Sequence, residues 1–230
     1  YPDVLTEPFG LALRGSLPWL PDRIVDEPLP DNQGIDAYPT SVEGRLEMTD
    51  NILLLHLDEP DGTTSFLDTS GNGNDASCEG NSCPQAIRGR FNGALRFDGE
   101  DDALDLPGYL PRTEDFTFAS WVYWNGGSDQ RIFDLGQDAD NHLYISPQED
   151  GQLRFCAIQG GAEQAVQGPA LPRGAWVHLA VTLQDDLATI WLDGEQLVTG
   201  TVTIDPEDVL GAQTWLGRTI TGWSSYFDGR

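Results

Sequence analysis

The stretch G-A-W-V-H-L-A-V-T-L-Q-D-D-L-A-T-I-W-L-D-G-E-Q-L-V, residues 174–198, decides the fold. Its sharpest part is A-T-I-W-L-D-G-E-Q-L-V, because Asp193-Gly194 supplies the positive φ angles of a tight hairpin between two alternating runs. Period 2 then places Ile190 and Leu192 on one side of the strand and Thr189 and Trp191 on the other. Working outward from Asn51, similar short runs follow one another: I-L-L-L-H-L, A-L-R-F-D, F-T-F-A-S-W-V-Y-W, R-I-F-D-L-G, H-L-Y-I-S and L-R-F-C-A-I. Gly, Asn and Asp punctuate them, and nothing reads as a long helix. Many short strands with turn signals every 8 to 12 residues or so predict an all-β sandwich or barrel.

Residues 1–48 read differently. Seven of the fifteen prolines fall there, in phrases such as P-W-L-P-D and E-P-L-P-D, with no sustained period of 2 or 3.6. Such a segment predicts an extended Pro-rich N-terminal arm or linker that makes no regular core element. Phe9, Leu11, Leu13, Trp19 and Leu20 are available on it to dock on a surface. Residues 49–230 are then the folded domain. At 230 residues, one large all-β domain with an appended segment fits better than two full domains.

Charge narrows the partners. There are 38 acidic residues against 12 basic ones, all Arg, for a net charge of -26. That surface repels nucleic acid and anionic headgroups and attracts cations. No stretch approaches the ~18 apolar residues of a membrane span. Cys78 and Cys83 are close enough to close a small loop by a disulfide, which implies an oxidising compartment; two exposed thiols are the alternative. Cys156, in L-R-F-C-A-I, reads as a buried strand residue.

Taken in order, L-L-L-H-L-D-E-P-D-G, D-T-S-G-N-G-N-D-A, G-R-F-N-G-A-L-R-F-D-G-E-D-D-A-L-D-L, F-T-F-A-S-W-V-Y-W, G-A-W-V-H-L-A-V-T-L and I-W-L-D-G-E-Q-L-V resemble the laminin-G-like, concanavalin A-like jelly-roll superfamily over about residues 50–230. The resemblance implies a two-sheet antiparallel jelly-roll sandwich, six or seven strands to a sheet. It also implies an extracellular or cell-surface setting and a calcium ion in place of a catalytic group. Members normally finish on a phrase like F-x-G-x-I-D-E-V-R-I-Y, a last strand that pairs near the first. Here Tyr226-Phe227-Asp228-Gly229-Arg230 stands in its place, which predicts that the strand I-L-L-L-H-L lacks its usual neighbour, the missing strand being trimmed away, replaced by the arm or supplied by another molecule.

In D-T-S-G-N-G-N-D-A-S-C-E, oxygen side chains fall at Asp68, Ser70, Asn72 and Asn74, with Gly73 at the sixth place and Glu79 at the twelfth. That spacing matches an EF-hand calcium loop, but the flanking sequence refuses the helices an EF-hand needs. The ligand chemistry survives without the EF-hand, and F-D-G-E-D-D adds Asp98, Asp101 and Asp102 toward the six to eight oxygens that Ca²⁺ wants. The resemblance brings Asp228 to the same ion. The competing reading is that Asp68 and its Asn neighbours cap turns.

No catalytic residue is predicted. E-D-D-A-L-D, ending in Asp105, only loosely matches the paired acids of jelly-roll glucanases. His56 and His178 lie in apolar runs and His142 in a loop, with no triad to assign. Trp121, Trp176, Trp191 and Trp215 lie inside strands and read as core. Trp124, Trp223 and Tyr226 border loops and are the candidate sugar platforms. The expected function is a noncatalytic, calcium-stabilised module binding a glycan or an extracellular protein in adhesion. Its rival is a structural, filament-like subunit completed by strand exchange between chains.

Overall fold

The computed structural model describes residues 11–14, 51–107, 113–209, 211, 213–221 and 226–230. Among the described residues, seventeen strands run in chain order. They are β1 (Leu11–Arg14), β2 (Asn51–Leu55), β3 (Ser65–Phe66), β4 (Ala76–Ser77), β5 (Gln85–Arg88), β6 (Gly93–Asp98), β7 (Leu104–Leu106), β8 (Phe116–Tyr123) and β9 (Phe133–Asp138). There follow β10 (Asn141–Glu149), β11 (Gln152–Gln159), β12 (Ala162–Pro169), β13 (Trp176–Gln184), β14 (Leu187–Leu192), β15 (Glu195–Thr201), β16 (Gln213–Leu216) and β17 (Asp228–Gly229). The helical content of the described residues is two three-residue 3₁₀ turns, Gly80–Ser82 and Pro206–Asp208. No helix among the described residues is long and apolar enough to cross a membrane.

Two antiparallel sheets make the sandwich. One has the order β15-β14-β13-β8-β1-β2, the other β12-β11-β10-β9-β16-β7-β4-β3, and a three-stranded ribbon β17-β6-β5 accompanies them. Alternation explains why they stack. In β8, Phe116, Phe118 and Val122 are buried while Trp121 and Tyr123 are only partly so; in β13, Val177, Leu179 and Val181 are buried. The second sheet answers with Phe133, Leu143, Ile145 and Phe155. Rings meet across the gap, Phe116 on Phe155 at 5.7 Å between centroids and Phe118 on Phe133 at 5.3 Å. The Asp193-Gly194 hairpin is present as expected, with φ of 52° and 83°, and Leu192 pairs with Glu195 across it.

Two expectations, on the arm and on His142, are corrected. The arm does contribute a regular element, because β1 lies between β2 and β8 with Ala12 opposite Leu54 on one side and Ala119 on the other. The I-L-L-L-H-L strand therefore has a neighbour, drawn from the arm. An edge left beside two fully buried leucines, Leu53 and Leu55, would expose both apolar surface and unpaired backbone, and β1 removes that cost. The closing residues are paired as well: β17 bonds to β6, and Arg230 exchanges N–H···O bonds of 2.8 and 2.9 Å with Tyr123. The Cys78–Cys83 disulfide is formed, and Cys156 is buried with its thiol pushed up to about 12, first by burial. His142, expected in a loop, is instead a buried residue of β10 whose Nδ1 lies 2.8 Å from Asp134 Oδ1.

Candidate functional site

The site stands on the outer face of the six-stranded sheet. Because β8 and β13 point Phe118, Val122, Val177 and Leu179 into the core, the alternate residues emerge together on the other side. Register pairs Trp121 with His178 and Tyr123 with Trp176, and the rings touch edge-on at 5.5 and 5.6 Å. Phe91, from the β5–β6 turn, adds a third contact with Trp121 at 5.5 Å. Two cations finish the cluster: the Arg90 guanidinium lies 5.4 Å above Trp121, and that of Arg230 lies 4.4 Å above Tyr123. Such stacking keeps a guanidinium flat on the ring while leaving its edge N–H groups free to donate.

Beside this cluster opens a small cleft, continuous with solvent, between the end of β8 and the chain following β2. Its wall includes His56, Arg90, Phe91, Trp121, Trp176 and Phe227. Three buried polar atoms there have no hydrogen-bond partner: His56 Nδ1, Trp121 Nε1 and Arg230 Nε. Buried polar groups are normally paired, so three unpaired ones on one apolar wall mark where a polar ligand would gain bonds. Burial pushes the His178 imidazole below its usual range, against the nearby Asp193 carboxylate, so that ring is neutral at pH 7.

The predicted metal ligands fall into two groups. Asp98, Asp101 and Asp102 have ligand oxygens all within 4.8 Å of one another, the only such cluster of His, Cys, Asp or Glu among the described residues. The loop is shaped by Asp98, which accepts from the N–H groups of Glu100 and Asp101 at 2.8 and 3.3 Å, and by Asp102, which accepts from that of Asp98 at 2.9 Å. Burial works to raise the Asp98 carboxyl, but these N–H donors outweigh it and the net shift is downward. Asp102 shifts upward, through burial first and then the charges of Asp98 and Asp101, which outweigh the Asp98 N–H and the Arg96 guanidinium that pull it down. Asp228 pairs with Asp98 across β17 and β6 and accepts from the Asn125 side-chain amide at 2.6 Å. These acids suit a hard cation such as Ca²⁺ by donor type.

Asp68 is engaged elsewhere. One oxygen accepts from the N–H groups of Leu54 and Ser70, the other from the Ser70 hydroxyl and the N–H of Asn74, at 2.8 to 3.0 Å. Asn72 and Asn74 donate their side-chain amides to Ile52 O, at 3.2 and 2.7 Å. The loop thus fastens to β2, and no cluster among the described residues joins it to Asp98.

The predicted platforms need correction. Trp124 is 1% exposed, with Nε1 donating to Gln130 Oε1 at 2.8 Å, so it is core and cannot stack a sugar. Its even number puts it on the same inward face as Val122. Trp223 lies outside the described residues. Tyr226 is half-buried, its ring 6.0 Å from the Arg218 guanidinium. Conversely, Trp121 and Trp176, expected in the core, stand on the outer face. Counting by twos from Phe118 and Val177 would have placed both there.

A family model described as the concanavalin A-like lectin/glucanases superfamily matches residues 98–230. Among solved structures, the chain is similar to domain 4 of AbnA, a GH43 extracellular arabinanase from Geobacillus stearothermophilus, in complex with arabinotriose. The TM-score is 0.60 at 20% identity, over 70% of this chain and 81% of that one. It is also similar to the binding domain of Paraclostridial Mosquitocidal Protein 1, with a TM-score of 0.57, 14% identity and coverage of 72% and 47%. The receptor binding domain of botulinum neurotoxin C/D mosaic serotype follows, at 0.54 and 12%, covering 77% and 46%. The chain spans about half the length of these two toxin structures. No curated protein matches it in sequence. A strand order, a core and a family match thus agree: the chain belongs to the concanavalin A-like lectin/glucanases superfamily, in its laminin G branch.

Proposed function

We propose that this chain is a noncatalytic glycan-binding module of an extracellular protein, with the sugar held at the outer-face aromatic cluster and its cleft. The observation that carries the reading is the coincidence of Trp121, Trp176 and Phe91 with three unpaired buried donors or acceptors on one wall. An aromatic face covers the apolar side of a pyranose or furanose ring, and the unpaired polar atoms and the Arg90 guanidinium bond its hydroxyls. Support comes from the arabinanase domain, which was solved with arabinotriose, and from the binding-domain neighbours among the toxins. Calcium at Asp98, Asp101 and Asp102, with Asp228 beside them, would neutralise their repulsion and stiffen the end of β6. The same strand gives Leu95 and Phe97 to the cleft.

The experiment is titration calorimetry against a panel of oligosaccharides that includes arabino-oligosaccharides, with and without calcium. At least one glycan binds, and Trp121→Ala weakens it about tenfold, roughly 1.4 kcal/mol. If the panel is silent in both conditions while an extracellular protein partner is captured by the same face, the glycan reading fails and the adhesion reading through protein replaces it.

A further inference from the structure

Trp191 stands apart from the cleft, on the same outer face. In β14 the alternate residues Ala188 and Ile190 are buried in the core, so Thr189 and Trp191 emerge on the side that also bears Trp121. Across the sheet Trp191 lies opposite Ala180 of β13, and Ala180 lies opposite Ala119 of β8. Two alanines side by side leave room for an indole to lie down on the sheet. The Nε1–H of Trp191 donates to Thr182 Oγ1 at 3.1 Å, one outward position further along β13, and so holds the ring leaning across that strand. Ala180 stands outside the core cluster yet is only 5% exposed, as a residue beneath such a ring would be.

Three features of this surface choose its ligand. Trp121 pairs with His178 and Trp191 with Ala180, so the two indoles are two strands apart and two residues out of line, about 12 Å along the sheet. One sugar ring meets one of them; only a chain meets both. Beside the second ring, Thr182, Thr189 and Thr199 form a row across β13, β14 and β15, with the Thr189 and Thr199 hydroxyls 3.1 Å apart. Threonine hydroxyls both donate and accept, which is what sugar hydroxyls require. The outward positions of β8, β13 and β14 hold no Asp, Glu or Arg, in a chain with 38 acids and 12 arginines. Covering this face desolvates no charge, and the surrounding net charge of -26 repels an anionic chain.

We infer that Trp191 is a second stacking platform, and that the ligand is an uncharged, extended polysaccharide chain running obliquely across β8, β13 and β14 from Trp121 to Trp191. The inference rests on the glycan reading and narrows it: the face takes an internal stretch of a chain and not a terminal sugar. A chain held at Trp121 meets Trp191 as an intramolecular contact, so the second platform multiplies affinity once the chain spans both.

The test is titration calorimetry with two uncharged series, cello-oligosaccharides and arabino-oligosaccharides, from di- to hexasaccharide. In at least one series the hexasaccharide is expected to bind about tenfold tighter than the disaccharide. Trp191→Ala is expected to bring the hexasaccharide down to the disaccharide's affinity, whereas Trp121→Ala weakens both. A second readout needs no truncation: the indole N–H resonance of Trp191, identified by its absence from Trp191→Phe, is expected to shift with the hexasaccharide and not with the disaccharide. Short members that bind through Trp121 with no gain at length, or a Trp191 resonance that the hexasaccharide leaves in place, overturn the second platform while the glycan reading stands. A hexameric oligogalacturonide that binds tighter than its uncharged counterparts overturns the charge argument. Silence of both series at every length overturns the inference, and silence of the wider panel takes the glycan reading with it.

Discussion

Trp121 and Trp124 stand three residues apart and take opposite sides of the same sheet. Trp124 → Ala removes a side chain that is 1% exposed and hydrogen-bonded to Gln130, so a loss of about 3–5 kcal/mol is expected in denaturant unfolding. Trp121→Ala, on the outer face, is expected to cost far less stability while abolishing most ligand affinity; equal losses for the two would refute the assignment of faces. Acid–base behaviour is also set residue by residue. Asp205 is pushed up to about 6 by burial first, then by the neighbouring charges of Asp208, Asp186, Glu114 and Glu207. A raised folded-state value means that stability is fully present below the ordinary 3.8 and is lost as pH rises through about 6. Asp205→Asn keeps a cap-competent oxygen without the charge. Melting curves should find it more stable than the parent at pH 8 and equal to it near pH 3.5.

Among the elements, the loops around β2 and β4 matter more than their length suggests. Asp68 ties its own turn to β2 through four accepted bonds, which explains why a calcium-like spacing of oxygens produces a structural strut here. Ligand-type residues at ligand-type intervals look alike in sequence whether they meet an ion or the backbone N–H groups of the loop itself. The Cys78–Cys83 disulfide closes a short loop next to it. Loop entropy assigns such a small ring about 2 kcal/mol, so reduction under native conditions is expected to lower the melting temperature by roughly 4–8 °C without unfolding the sandwich. Calorimetry with and without reductant checks this.

Over the whole molecule, 38 acids against 12 arginines leave a net charge of -26 that repels itself. Raising ionic strength from low to physiological is expected to raise the melting temperature by screening it. If the proposed calcium site is real, calcium is expected to add a site-specific increment on top: at a hundredfold excess over its dissociation constant, a cation bound only by the folded state contributes about 2.7 kcal/mol. Asp98→Asn with Asp102→Asn is expected to remove that increment and leave the salt effect intact. Magnesium or sodium at equal ionic strength serves as the control in the same melting experiment. A calcium shift that survives the double substitution would place the ion elsewhere.

Period-2 alternation, turn residues and apolar runs by themselves determined the strands, the hairpin at Asp193-Gly194 and the sandwich. These depend on each residue and its near neighbours, which the chain order displays directly. The same alternation already held the inward face of Trp124 and the outward faces of Trp121 and Trp176. Proximity to a loop and the size of the ring were the weaker guides. Only the tertiary structure decided which strands became neighbours. That the proline-rich arm would supply β1 is set by an open slot between β8 and β2, a property of two strands more than sixty residues apart. That three unpaired polar atoms, from His56 just after β2, Trp121 of β8 and Arg230, line one cleft follows from the same closure. Long-range pairing is chosen by what must be covered, and no local pattern records it.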